Sequence, residues 1–321
     1  MDWFVSFLRS YGLGFLGNFL SLFVFCSLEE FRRISTGFLF LLTTFSNTIH
    51  LWTLTTEFLG IFNLYVYSNE FFQCRLNYFL QNVSRAISTY LAVGIALDRY
   101  IRSEWPISSR RICTRRNAMI YTLMISIVFS TFWTPWFSPS IVRNEITGDC
   151  IFNRSPSLYI YLTHVQTPFR FAMVCLLPVL IMSASNFRML YNMRQSRRRV
   201  VNHRQTIRTV NPPPPSTFSS TNNPLSRRTS ALDRMLFYMM LSNVFTFIFT
   251  QIPFNIYSTV RVYHPVLDSF THSLVRALLL IWSSIYFGVA FYLYCLASPL
   301  FREKFRLISK KFFGLFKGQA I

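Results

Sequence analysis

Apolar runs close to the length of a membrane helix recur along the chain, separated by shorter polar stretches. A bilayer-crossing helix needs roughly 20 mostly apolar residues. Five windows hold no Asp, Glu, Lys or Arg: Ser10–Leu28, Ile34–Thr56, Asn117–Val142, Met235–Val260 and Ala277–Phe301. Two more are broken by a single charge, Leu76–Leu97 by Arg85 and Ser155–Phe187 by Arg170. The pattern predicts an all-α membrane protein of seven spans, with the termini on opposite sides. The first run reads as a span rather than a secretory leader, because Met1–Leu8 carries Asp2, no basic residue, and no Ala-x-Ala site follows. With only about ten residues ahead of it, a hormone-binding ectodomain is not expected.

Composition agrees and adds an orientation. Of 321 residues, 52% are hydrophobic and only 14% charged, against about 25% in a soluble domain. Even so, 32 Lys and Arg against 12 Asp and Glu give a net charge of +20. The basic residues are not spread evenly. The segments after spans one, three and five, together with the C-terminal tail, hold 24 of the 32. The positive-inside bias therefore predicts an extracellular N-terminus and a cytosolic C-terminus, in a multi-pass protein of the plasma membrane. A nucleic-acid binder is excluded by the same division of charge among membrane-bounded loops.

Residues 1–300 read as the bundle and 301–321 as an amphipathic cytosolic tail. Phe301, Phe305, Ile308, Phe312 and Phe316 recur at helical spacing among Lys and Arg, a pattern suited to the inner leaflet. The segment at about 194–232, with Arg197, Arg198, Arg199 and four prolines at Pro212–Pro215, reads as a flexible basic cytosolic loop. On that orientation only Cys74 and Cys150 face the oxidising side, so they are the pair expected to form a disulfide. Asn153, in Asn-Arg-Ser, is a candidate glycosylation site on the same side.

Twenty-five residues after Cys74 stands Asp98-Arg99-Tyr100. At 1.5 Å per residue that is about 37 Å, enough for one helix to carry a disulfide outside and a charged triplet at the cytosolic interface. Here the chain resembles the rhodopsin-like G-protein-coupled receptors, and the likeness spans nearly its whole length. Cys74, the triplet, Pro106, Gly17-Asn18, Pro178, Pro253 and Phe301-Arg302 stand in that family's order. The resemblance implies a receptor that binds an extracellular ligand within the bundle and activates a heterotrimeric G protein. It also implies a switch made of Asp98, Arg99, Tyr100 and Tyr294, with Asp233 at the latch position opposite Arg99.

Several positions depart from the family pattern. Asn47 replaces the aspartate of span two, removing the formal charge of the buried sodium site. Span seven keeps only Tyr294 of Asn-Pro-x-x-Tyr, and Gln251 stands where tryptophan is common. Such departures resemble a divergent invertebrate branch similar to peptide receptors of the FMRFamide-like kind. All four lysines lie in the tail, which rules out a retinal Schiff base. Gln81 occupies the place of the amine receptors' aspartate.

The expected pocket is basic: Arg85, Arg170 and Arg276 face Glu57, with Gln81, Gln251, Asn255, His50 and Tyr257 as further lining candidates. Charges this deep in a membrane are costly and mark functional sites by default. They point to a neuropeptide or an anionic small molecule, unless Arg85 simply pairs with Glu57. A transporter or channel with arginines lining its path is the alternative. It calls for internal repeats or glycine-rich broken helices, and the sequence shows no repeat and only 10 glycines. No catalytic constellation appears, so neither an enzyme nor a cofactor is expected.

Overall fold

The computed structural model describes residues 2–61, 64, 66–67, 69–143, 150–152, 156–210, 224–263, 269–297 and 299–318. Its helices are α1 (Asp2–Ser27), the short α2 (Glu29–Arg33), α3 (Ser35–Ile61), α4 (Asn77–Glu104), α5 (Pro106–Ile112) and α6 (Arg115–Trp133). After a two-stranded hairpin follow α7 (Pro156–Ile160), α8 (Thr167–Arg170), α9 (Leu177–Val210), α10 (Pro224–Tyr263), α11 (Ser269–Ala297) and α12 (Pro299–Gly318). Wider π-turns at Tyr161–Gln166 and Phe171–Leu176 join α7, α8 and α9 into one column. Seven long columns result. Six close a ring in the order α1, α3, α4, α9, α10, α11, and α6 packs outside against α3 and α4.

The columns differ in polarity for a reason. Four stretches are long and apolar enough to cross a membrane by composition alone: Arg115–Phe137, Ser157–Asn192, Phe237–Arg261 and Leu274–Leu296. On α6 the large apolar side chains Leu123, Met124, Ile127 and Val128 are exposed, as a lipid-facing surface requires. The central α3 and α4 are more polar because a ladder of hydrogen bonds joins them. Ser46 donates to Ser84 O at 2.8 Å, Ser88 donates to Asn47, His50 Nδ1 meets Gln81 O at 3.0 Å, and Thr56 donates to Asn77 Oδ1 at 2.9 Å. Away from water, such groups must be satisfied within the protein.

Three prolines explain the irregular backbone of the α7–α9 column and of α10. Proline lacks the N–H that an upstream carbonyl needs. Each π-turn in the α7–α9 column runs up to a proline, Pro168 or Pro178, and side chains serve carbonyls there. Thr167 Oγ1 donates to Leu162 O at 3.0 Å, and Tyr90 OH donates to Met173 O at 3.0 Å. Inside α10, Pro253 frees the Phe249 carbonyl, which accepts from the Trp282 indole of α11 at 3.0 Å.

One seam is closed by glycine. Gly14 of α1 and Gly288 of α11 meet backbone to backbone, so a Cβ on Gly288 would lie 2.7 Å from Gly14 Cα. Beside it, Asn18 Nδ2 donates to Phe287 O at 3.0 Å. The basic segment expected as loop is partly helical: α9 continues to Val210, and α10 starts at Pro224. Arg, Gln and Met are good helix formers, so a helix already nucleated by packing extends through them to Val210. Pro212–Pro215 lie outside the described residues. After α11, α12 leaves as a separate amphipathic helix, with Phe301 buried and Arg302, Arg306 and Lys310 exposed.

Candidate functional site

Both ends of α4 carry polar chemistry. At one end, Cys74 is joined to Cys150 by a disulfide with the Cα atoms 5.6 Å apart. Cys150 opens β2 (Cys150–Phe152), which pairs antiparallel with β1 (Ile141–Arg143). Arg75 donates to Ile141 O and Pro139 O, each at 3.1 Å, and Arg143 N donates to Glu70 Oε1 at 3.1 Å. The hairpin is thereby clamped across the mouth of the bundle. Asn153 lies outside the described residues.

Beneath the mouth, Glu57 of α3 gathers three partners. It accepts from Gln81 Nε2 at 2.5 Å and from Tyr78 OH at 3.2 Å, and it faces Arg276 of α11 at 3.8 Å. The pairing of Glu57 with Arg85, open from sequence, is not the one found. Arg85 is 4% exposed, and its guanidinium lies 5.1 Å from the centre of the Phe254 ring. Arg170, from α8, reaches the same ring at 5.9 Å. The Nε atoms of both arginines are buried without a hydrogen-bond partner among the described residues. Two other expected lining residues are occupied within their own surroundings. Gln251 Nε2 donates to Ser283 O at 2.7 Å, and Asn255 Nδ2 donates to Gln251 O at 2.8 Å.

At the opposite end, the buried Asp98 is held by hydroxyls and by a residue the sequence reading did not single out. Ser35 donates to it at 2.5 Å and Thr36 also donates; Arg102 Nε meets Oδ2 at 3.0 Å. Arg102 continues to Ser35 Oγ at 2.9 Å and to Cys113 O at 3.0 Å. Its signal was available, since Arg102 sits four residues after Asp98 on one helix. Arg99 is 4% exposed beside this cluster, and the Tyr100 ring packs on Trp105 at 5.7 Å. Asp233 falls within α10, but its side chain lies outside the described residues. Tyr294 is buried among Phe40 (5.4 Å), Phe301 (5.9 Å) and Phe25 (6.4 Å). Asn47, which takes the place of an acidic residue, spends its Oδ1 on the Ser88 hydroxyl.

Cys113, next to the Asp98 cluster, has its thiol pushed up to about 12, first by burial and then by the Asp98 charge. Among the described residues no three His, Cys, Asp or Glu side chains group as a metal site would need.

No curated protein matches the chain. The model of the family described as 7 transmembrane receptor (rhodopsin family) matches residues 17–299, from the glycine before Asn18 to the proline that opens α12. With seven columns in one bundle, a disulfide over one end and an Asp-Arg-Tyr triplet at the other, the chain belongs to the rhodopsin family of seven-transmembrane receptors, multi-pass proteins of the plasma membrane.

Proposed function

We propose that this receptor takes an extracellular ligand, a neuropeptide or an anionic small molecule, between its helices at the disulfide end and activates a heterotrimeric G protein at the Asp98 end. In this reading the N-terminus is extracellular and the C-terminus cytosolic. Residues 301–321 lie along the inner leaflet as a tail distinct from the bundle of 1–300, as the exposed Arg302, Arg306 and Lys310 beside the buried Phe301 suit.

The observation that carries the reading is the doubly equipped α4. Gln81 and Arg85 stand under the disulfide, and Asp98 and Arg99 stand at the far end of the same continuous helix. A ligand that shifts α4, α10 or α11 at the upper layer alters packing at the lower one, because tightly packed helices move as bodies. Arg99 is the group presented to the G protein, and Asp233 on α10 is its resting latch.

The test is G-protein activation in cells expressing the full chain, screened against peptides and anionic metabolites. Arg99→Ala is expected to abolish the response with surface expression intact, and Asp233→Ala to raise basal signalling. A retained response in Arg99→Ala would refute the coupling role, and unchanged basal signalling in Asp233→Ala would refute the latch.

A further inference from the structure

The upper layer does not balance its own charge. Glu57 stands one position past the charge-free window of the second span, and it is already taken up by Arg276, Gln81 and Tyr78. Arg276 is about half exposed and shares its charge with solvent, its side chain being 53% accessible. Arg85 is buried and Arg170 only partly exposed, and neither makes an ion pair among the described residues. Their guanidiniums both approach one apolar ring, so they lie within about 11 Å of each other by the two ring distances. Contact with the Phe254 face offsets part of the cost, but a ring accepts no N–H in the plane of the fork. Two cations with buried, unserved Nε donors, and no ion pair to either among the described residues, leave a position that an anion would fill.

We infer that Arg85 and Arg170, both over the Phe254 ring, form the subsite for an oxyanionic head group of the ligand, a carboxylate or a phosphate. The inference rests on the reading of this cleft as the ligand site and narrows the ligand class. The ligand enters acid end first, and its opposite end lies toward Glu57, Arg276 and the hairpin. A guanidinium presents paired N–H donors that match two oxygens of one acid group, a geometry that a neutral amide or an amine does not meet. Peptides whose deepest end is amidated are excluded, because the amide brings no charge to the pair.

The test uses the full chain in lipid nanodiscs and follows its thermal midpoint by tryptophan fluorescence at constant ionic strength. The probes are N-acetylphenylalanine, phenyl phosphate, N-acetylphenylalanine amide, phenethylamine and chloride. Millimolar N-acetylphenylalanine or phenyl phosphate is expected to raise the midpoint by about 2–4 °C, as a ligand that binds only the folded state does. The amide and the amine leave it in place. Arg85→Gln and Arg170→Gln each remove most of the rise, whereas Arg261→Gln, which deletes an exposed charge at the same end of α10, keeps it.

Removing an uncompensated buried charge does not by itself unfold a protein, so the unliganded Arg85→Gln midpoint is expected at or above that of the parent. Arg85→Lys provides a second folded variant that keeps the charge and loses the fork. Equal shifts from acid and amide would overturn the subsite. So would saturation by chloride alone with no further response to either acid, which would make it a resident inorganic-anion site. Nucleotide exchange on a G protein in response to a peptide, with wild-type potency in both glutamine variants, would also overturn the subsite while leaving the receptor function intact. An acid-specific midpoint rise without nucleotide exchange from any acid would uphold the subsite and count against the G-protein reading alone.

Discussion

Replacing Gly288 with alanine tests how closely α1 and α11 are packed. A methyl at that position would sit 2.7 Å from the Cα of Gly14 and 3.8 Å from Leu51 Cδ1. Carbon atoms pack at about 3.5–4.0 Å, so the two helices must part by close to 1 Å along this seam. The obstacle is backbone, which has no rotamer to change. Overpacking of this kind costs about 1–3 kcal/mol. Against it stands the gain of about 1 kcal/mol when alanine replaces glycine inside a helix.

The net loss is therefore about 0–2 kcal/mol. It is increased by any lengthening of the Asn18–Phe287 bond, 3.0 Å long in the same seam. Gly12 provides the control, because a Cβ there meets nothing within 4 Å and only the helix gain applies. In a thermal-unfolding assay of the purified receptor, Gly12→Ala should hold or raise the midpoint. Gly288→Ala should fall below Gly12→Ala by several degrees, at about 2–4 °C per kcal/mol. Gly288→Val should fall further. Equal midpoints for the two alanine variants would refute the close approach of α1 and α11.

Arg102→Ala should lower the midpoint by a few degrees, a loss of about 1–2 kcal/mol, since Asp98 keeps its two hydroxyl donors and Arg102 is about one-third exposed; an unchanged midpoint would show that the Arg102 fork is not holding α3, α4 and Cys113 together. Exchanging sodium for choline should leave the midpoint where it is, because Asn47 brings no carboxylate and its Oδ1 is engaged by Ser88; a sodium-dependent rise in the unmodified chain would refute this. Cys113, its thiol pushed up to about 12, binds its proton more tightly when folded than a free thiol does. Peptide mapping after maleimide treatment at pH 7.5 should therefore find it almost unlabelled, with labelling that grows about tenfold per pH unit up to that value; fast labelling at pH 7.5 would contradict the buried setting beside Asp98.

The spans and the receptor family were legible in the chain because they depend on quantities that a sequence carries directly. Length of apolar run, side of basic charge, and the order of Cys74, Asp98-Arg99-Tyr100, Pro178 and Pro253 are one-dimensional facts. The polarity of α3 and α4 was visible too, although its reason was not: each polar residue is tolerated because a partner stands at the matching height on the neighbouring helix.

Partner choice was decided only by tertiary structure. From sequence, Arg85 was the partner expected if Glu57 pairs within the chain; the azimuth of each helix gives Glu57 to Arg276 and sets Arg85 against Phe254, a residue with no polar signal. Asp98 turned from its neighbour Arg99 to Arg102 for a related reason. Adjacent residues on a helix point about 100° apart, whereas residues four apart share a face. The sequence by itself therefore determined which charges are in the membrane and on which helices. Only the packing of those helices decided which charges cancel, and it brings Arg85 and Arg170 to one ring with no ion pair to either among the described residues.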